Sequence, residues 1–158
     1  MSKEYILEQS LSPSEAVARL NISVDELERR RAQGSLLTLW VKTSNAWVYP
    51  AFQFAPGVSA YGLQLLLSIL ASRVGFSPTD DRGGWARAFW LFQPREELSL
   101  QARASKGYGP MDPVTVLMLV RDISSAARAP ADAFADDPVA VINLAEALHA
   151  DNSETPAA

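Results

Sequence analysis

The chain has no cysteine and one histidine among 158 residues. Without cysteine there is no disulfide framework and no thiolate zinc site. The lone histidine, His149, is placed by periodicity at the end of the last helix, where it suits the helix dipole and has no partner for acid–base work. Long apolar runs are also missing. The longest, Leu63 to Ala71, is broken by Gln64 and Ser68 and is far too short for a membrane span. The opening MSKEYILEQS has only Ile6 and Leu7 together and lacks the apolar core of a secretory signal, so a cytoplasmic location with no membrane partner is expected. The acidic pairs Asp80-Asp81 and Asp136-Asp137 read as helix caps or solvated turns. Gly83-Gly84 and Gly107-Tyr108-Gly109 lack the Lys-Ser/Thr of a phosphate loop. No catalytic residue, metal ligand or cofactor is therefore expected, and an enzyme is the least favoured class. Positive charge is short as well. The net charge is −4, with six Lys/Arg against six Asp/Glu in residues 1–50, so the deficit lies wholly in the remainder.

What is present is a run of local signals between Leu11 and Tyr49. Ser12 is a good N-cap, Pro13 suits the first helical position, and Glu15 completes a capping box. Ala16, Val17 and Leu20 then form an apolar stripe. Asn21 and Ile22 make a turn, and Ser23 caps a second helix with Glu26 again three residues on. Val24, Leu27 and the stem of Arg31 form its inner face, and Gly34 stops it in a left-handed conformation. Leu36 to Val41 and Ala46 to Tyr49 read as two strands joined by Lys42-Thr43-Ser44-Asn45. Trp40 and Trp47 cover the open side of this small core. The order of capped helix, turn, capped helix and hairpin is that of a winged helix-turn-helix, with any helical hairpin as the lesser alternative.

Downstream, Phe52 and Phe54 in AFQFAPG read as buried staples. Ser59 starts a helix through Leu63, Leu66, Leu67 and Leu70. Gly75 to Gly84 is a loop, and Trp85 to Phe92 is a short helix or a strand. Arg95 to Ala104 is a helical turn or irregular, and Lys106 to Pro113 is a loop. Further helices are expected over Pro113–Ile123, capped by Asp112, over Ala129–Ala135, led by Pro130, and over Val139–His149, with Val141, Ile142, Ala145 and Leu148 inside.

Arg29-Arg30-Arg31 is the one basic run. Arg31 suits the helix dipole, whereas Arg29 and Arg30 face outward toward phosphates or base edges. The residues expected at DNA are Ser23, Asp25, Glu26, Arg29 and Arg30 on the second helix, with Lys42 and Asn45 at the hairpin tip. Asp25 and Glu28 oppose phosphate, unless one accepts from a cytosine amino group. Glu26 is assigned to its cap.

Two stretches resemble known families. SPSEAVARLNISVDELERRRAQGSL resembles the excisionase/MerR-like helix-turn-helix in the order of its caps, its R-x-x-G and its wing. WVYPAFQFAPGV, WARAFWLFQPREELS and RAPADAFADDPVAVINLAEAL are similar to the C-terminal region of the Xre/MbcA/ParS antitoxin group. Trp90, Leu91, Pro94 and Leu98 match the first half of that group's pattern, and Pro130, Asp132, Phe134, Val141 and Ala145 the second. Phe134 stands where leucine is usual, and about thirty residues separate Leu98 from Pro130 where roughly ten are expected. The resemblance implies an all-α body that binds a protein partner, often an NAD-consuming toxin, and a DNA-binding half that represses its own promoter. It points to Trp90, Phe92, Pro94, Leu98 and Pro130 as partner-binding, although aromatics in such apolar segments are more often core.

The expected architecture is mainly α with a small β-hairpin. A winged helix-turn-helix with its connector spans 10–57, a helical protein-binding region 58–150, and a disordered tail 151–158. The expected function is that of a DNA-binding, antitoxin-like regulator, acting as a homodimer because one neutral reader binds weakly. The rival is an interaction adaptor with the same fold and no DNA binding.

Overall fold

A computed structural model describes residues 1–100, 102 and 126–153, with side chains to Leu148. The expected helix over 113–123 and the loop over 106–113 lie outside the described residues. The chain is mainly α, with seven α-helices among the described residues and one small antiparallel sheet of three strands. The helices are α1 (Lys3–Glu8), α2 (Pro13–Leu20), α3 (Val24–Ala32), α4 (Ala60–Ala71), α5 (Trp85–Phe92), α6 (Pro130–Ala133) and α7 (Pro138–Ser153). The strands are β1 (Ser10–Leu11), β2 (Leu39–Val41) and β3 (Ala46–Pro50), in the order β1-β3-β2.

The local signals of α2 and α3 form as their chemistry dictates. Ser12 Oγ accepts from Glu15 N–H while the Glu15 carboxylate accepts from Ser12 N–H, and Asn21 ends α2 at φ +54°. Ser23 Oγ accepts from Glu26 N–H. Gly34, at φ +74°, closes α3 by donating to Arg31 O while Ser35 donates to Arg30 O, which is a Schellman arrangement. Leu27 is the buried residue of α3, and Val24, expected beside it, is 59% exposed. The sequence of α3, VDELERRRA, is mostly charged and leaves the helix little with which to bury more.

Several elements differ from expectation. Strand β2 starts at Leu39 rather than Leu36 because Leu36 and Leu37 turn into the core. The backbone of Leu37 is satisfied by a side chain instead of a strand. The buried Gln53 carboxamide accepts from Leu37 N–H at 2.9 Å and donates to Leu37 O at 2.8 Å and Pro50 O at 3.0 Å. The amino terminus forms α1, which buries Ile6, and β1, which adds a third strand by pairing Ser10 with Pro50 and Leu11 with Tyr49. Trp85–Phe92 is a helix. Residues 96–98 form a 3₁₀ turn, and Arg95 and Arg128 exchange backbone hydrogen bonds. Helix α7 runs to Ser153, so His149 is not at its end and residues 151–153, expected in a disordered tail, are helical.

The hairpin is fastened to the helical body along its outer edge. Trp40 N–H donates to Gly83 O, and Trp85 Nε1 donates to Trp40 O at 2.8 Å. This pairing covers the polar edge that β2 would otherwise expose. Asp81, the second of the adjacent acids, is buried and caps α5 through the amides of Ala86 and Arg87, and it holds the Arg87 guanidinium at 3.0 Å. Helix α4 packs on α7 and α5 on α6. The buried side chains form one continuous cluster, from Ile6, Leu27 and Tyr49 through Leu66 and Leu91 to Phe134 and Val141. Phe52, partly buried, sets its ring edge-on to both Phe92 and Phe134. No helix among the described residues is long and apolar enough to cross a membrane.

Two substitutions test this joint. Gln53→Leu keeps the volume but strands a buried N–H and two carbonyls, and is expected to cost about 3 kcal/mol in urea unfolding. Gly84 has φ +78°, and a Cβ there would run into the Thr38 carbonyl oxygen. Gly84→Ala is expected to lower stability by about 3 kcal/mol as well, whereas an alanine at a helical, solvent-facing position would not.

Candidate nucleic-acid interface

Helix α3 presents its length to solvent because a single turn of apolar contact holds it. Arg29 lies two residues beyond buried Leu27, about 200° round the helix, and its side chain is 62% exposed. Asp25, Glu28, Ala32 and Gln33 are exposed on the same outer surface, as is Ser23 at the N-cap. The side chain of Arg31 lies back on the hairpin, its guanidinium 4.9 Å from the centre of the Trp47 ring, which fixes α3 against β3. Trp47 in turn meets Trp40 edge-on at 5.1 Å. Lys42 and Asn45 are exposed at the hairpin turn, where Asn45 has φ +51°. Ser23, Asp25, Glu26, Arg29 and Arg30 are thus gathered on one helix, and Lys42 and Asn45 on a hairpin stapled to it.

The charges of α3 are paired with one another. Glu26 does not return to its N-cap. Its carboxylate accepts from Arg29 Nε at 2.8 Å and Nη2 at 2.7 Å, and from Arg30 Nε at 3.0 Å. Glu28 accepts from Arg31 Nη2 at 2.6 Å. The capping-box role expected for Glu26 is therefore replaced by an ion cluster. Three donors on one carboxylate outcompete a single backbone amide, because charge-assisted bonds are the stronger. The hydrogen bonds from Arg29, and then from Arg30, hold the Glu26 carboxyl down at about 2. The same contact raises the Arg29 guanidinium.

Beside this cluster runs a groove of about 410 Å³ between α3 and the first turns of α4. Glu26, Arg29 and Arg30 line one wall, Ser59 and Gln64 the other, and Phe54 lies among its apolar residues. The connector residues and α4 were not legible as neighbours of α3, since nothing in local spacing links them.

The residues expected at a protein partner lie elsewhere. Trp90, Phe92, Leu98 and Pro130 are buried in the core, and Pro94 is exposed beside exposed Gln93. Arg95 stacks its guanidinium 5.0 Å over the Trp90 ring, and Trp90 Nε1 has no hydrogen-bond partner among the described residues. Phe92 and Pro94 also border a shallow recess with Met1 and Tyr5, whose side chains are half exposed. A partner approaching this end meets Pro94 and the amino terminus before it meets the tryptophan.

Among the described residues no group of three or more His, Asp or Glu side chains could hold a metal ion. Comparison of the chain with family models, with curated proteins and with solved structures gave no match.

The Glu26 cluster makes a prediction about acid. The folded-state carboxyl lies below its unfolded value, so its contribution to stability is complete above the ordinary carboxylate range and disappears as pH falls through about 2. The stability difference between the wild type and Glu26→Gln should be constant near neutrality and shrink from about pH 4.5 downward. Carboxyl ¹³C titration should place Glu26 near 2. A midpoint in the usual range would show that the arginines leave it in solution.

Proposed function

We propose that this chain is a DNA-binding regulator of the antitoxin type, with α2–α3 and the β2–β3 hairpin serving as a winged helix-turn-helix. In this reading α3 enters the major groove, the hairpin tip lies on a phosphate strand, and the helical remainder binds a protein. The observation that carries it is the exposure of α3. A helix held to the core through Leu27, with its outward surface uncovered and an exposed turn on a hairpin stapled beside it, is the form in which such modules meet a duplex. The sequence resemblance to excisionase/MerR-like proteins supports the same reading. The resemblance to toxin-binding regions supports a protein partner for the body, with an NAD-consuming toxin as the expected class. A homodimer would double the phosphate contacts of a charge-balanced reader.

One observation favours the rival adaptor. All three arginines of α3 already face a carboxylate of the same helix. A protein partner with mixed charge would tolerate that surface better than a phosphate backbone does.

Gel shifts on the gene's own upstream region, run at several salt concentrations, separate the two. A regulator should lose affinity steeply with salt, and Arg29→Ala or Lys42→Ala should each flatten the log–log slope by about 0.9. A slope near zero in the wild type would favour the adaptor.

A further inference from the structure

We propose that Glu26 is an internal competitor for the anion site made by Arg29 and Arg30, and that a phosphate ligand takes the Nε edges of the two arginines only by displacing it. The proposal rests on the DNA-binding reading for what carries the phosphate, but not for the competition itself. The geometry supplies the argument. Glu26 sits three residues before Arg29 and four before Arg30, so both guanidinium groups reach it along one side of the helix. It occupies Nε and Nη2 of Arg29, the fork that a phosphate would otherwise take in bidentate fashion, and also Nε of Arg30. A carboxylate and a phosphate oxygen make the same demand on that fork, so they cannot both be served.

The cluster is well placed for exchange. It lies at the solvent surface, with Arg29 mostly exposed and the groove toward α4 open beside it. Surface ion pairs are weak, so a polyanion that supplies several phosphates at once can displace one. Glu26 then costs the ligand twice, because the arginines must release it and the released carboxylate repels the newcomer. Asp25 and Glu28 lie on the same helix, yet Glu28 is held by Arg31 and no hydrogen bond or ion pair joins Asp25 to either arginine of the site. Glu26 is thus the residue that controls how much positive charge Arg29 and Arg30 offer.

The test uses the full chain as wild type, Glu26→Gln, and Glu26→Gln with Arg30→Gln. Glutamine retains the backbone N–H that Ser23 Oγ accepts, so the cap of α3 survives. Should the glutamine variant melt early, Glu26→Ala replaces it with the same expected direction. Arginine Nε–H signals are followed by NMR during titration with inorganic phosphate. Glu26→Gln should shift Arg29 and Arg30 at about fivefold lower phosphate than the wild type, and the added Arg30→Gln should abolish much of that gain. Equal midpoints in wild type and Glu26→Gln would overturn the proposal. A second arm titrates a short DNA duplex at several salt concentrations. There Glu26→Gln should bind about fivefold more tightly at low salt, with a slope steeper by about 1. If phosphate behaves as expected while neither protein binds duplex, the competition stands and the DNA-binding reading falls.

Discussion

The Glu26 carboxylate lies between two guanidinium groups on an exposed helix, and the charge that α3 presents to solvent depends on that placement. The helix carries three arginines and three acids, and its ion pairs leave little net field toward solvent. Affinity for a phosphate backbone comes mostly from uncompensated cations. On the proposed DNA-binding reading, a helix built this way would be weak by itself, and useful affinity would have to come from a second copy on an adjoining half-site, from base contacts, or from displacement of Glu26. On that reading the surface would also discriminate, since a ligand that satisfies Arg29 and Arg30 together with the hairpin tip would gain from all of them at once.

The same helix is held at several points although it buries so little. Capping at Ser23 and Gly34 satisfies its ends, Leu27 anchors its middle, and Arg31 on Trp47 sets its rotation against the hairpin. The hairpin in turn is joined to the body twice, through Gln53 at its base and through Gly83 and Trp85 along its edge. The buried clusters of the amino-terminal and helical parts are continuous. Movement of α5, where Trp85 is the first residue, therefore bears directly on β2 at Trp40. A protein partner that engages the end of α5 near Pro94 would act on an element that is hydrogen-bonded to the hairpin.

What was legible in the sequence was local. Caps are interactions over three residues, so Ser12 with Glu15, Ser23 and Gly34 could be read without knowledge of the rest. The leucines of α4 and the inward residues Val141 and Ala145 of α7 were evident from periodicity in the same way. Long-range pairing was not legible. Strand β1 has two residues and finds its partner about forty positions away, and Gln53 exchanges hydrogen bonds with Leu37 across sixteen. Neither leaves a pattern in its own neighbourhood, though a lone glutamine between two phenylalanines was a signal that the connector carried a buried polar bridge. The Glu26 cluster was legible in principle, since the spacings to Arg29 and Arg30 are the helical ones. The capping-box pattern competed for the same carboxylate, and local sequence does not rank one against the other.

The ranking comes from the number and charge of the donors. A capping carboxylate receives neutral donors, and at Glu15 these suffice because Arg19 acts on that carboxyl more weakly than the hydrogen bonds from Ser12 do. At Glu26 two guanidinium groups offer three charged N–H bonds, and the carboxylate turns from the helix start toward them. Two helices with the same Ser-x-x-Glu signature thus end with different surfaces. The first becomes a closed, self-satisfied support, and the second becomes a charged ridge whose arginines are held but still reachable. That difference is set by the arginines one turn beyond the glutamate rather than by the motif itself, and it leaves α3 as the helix of the pair with charged groups at its surface.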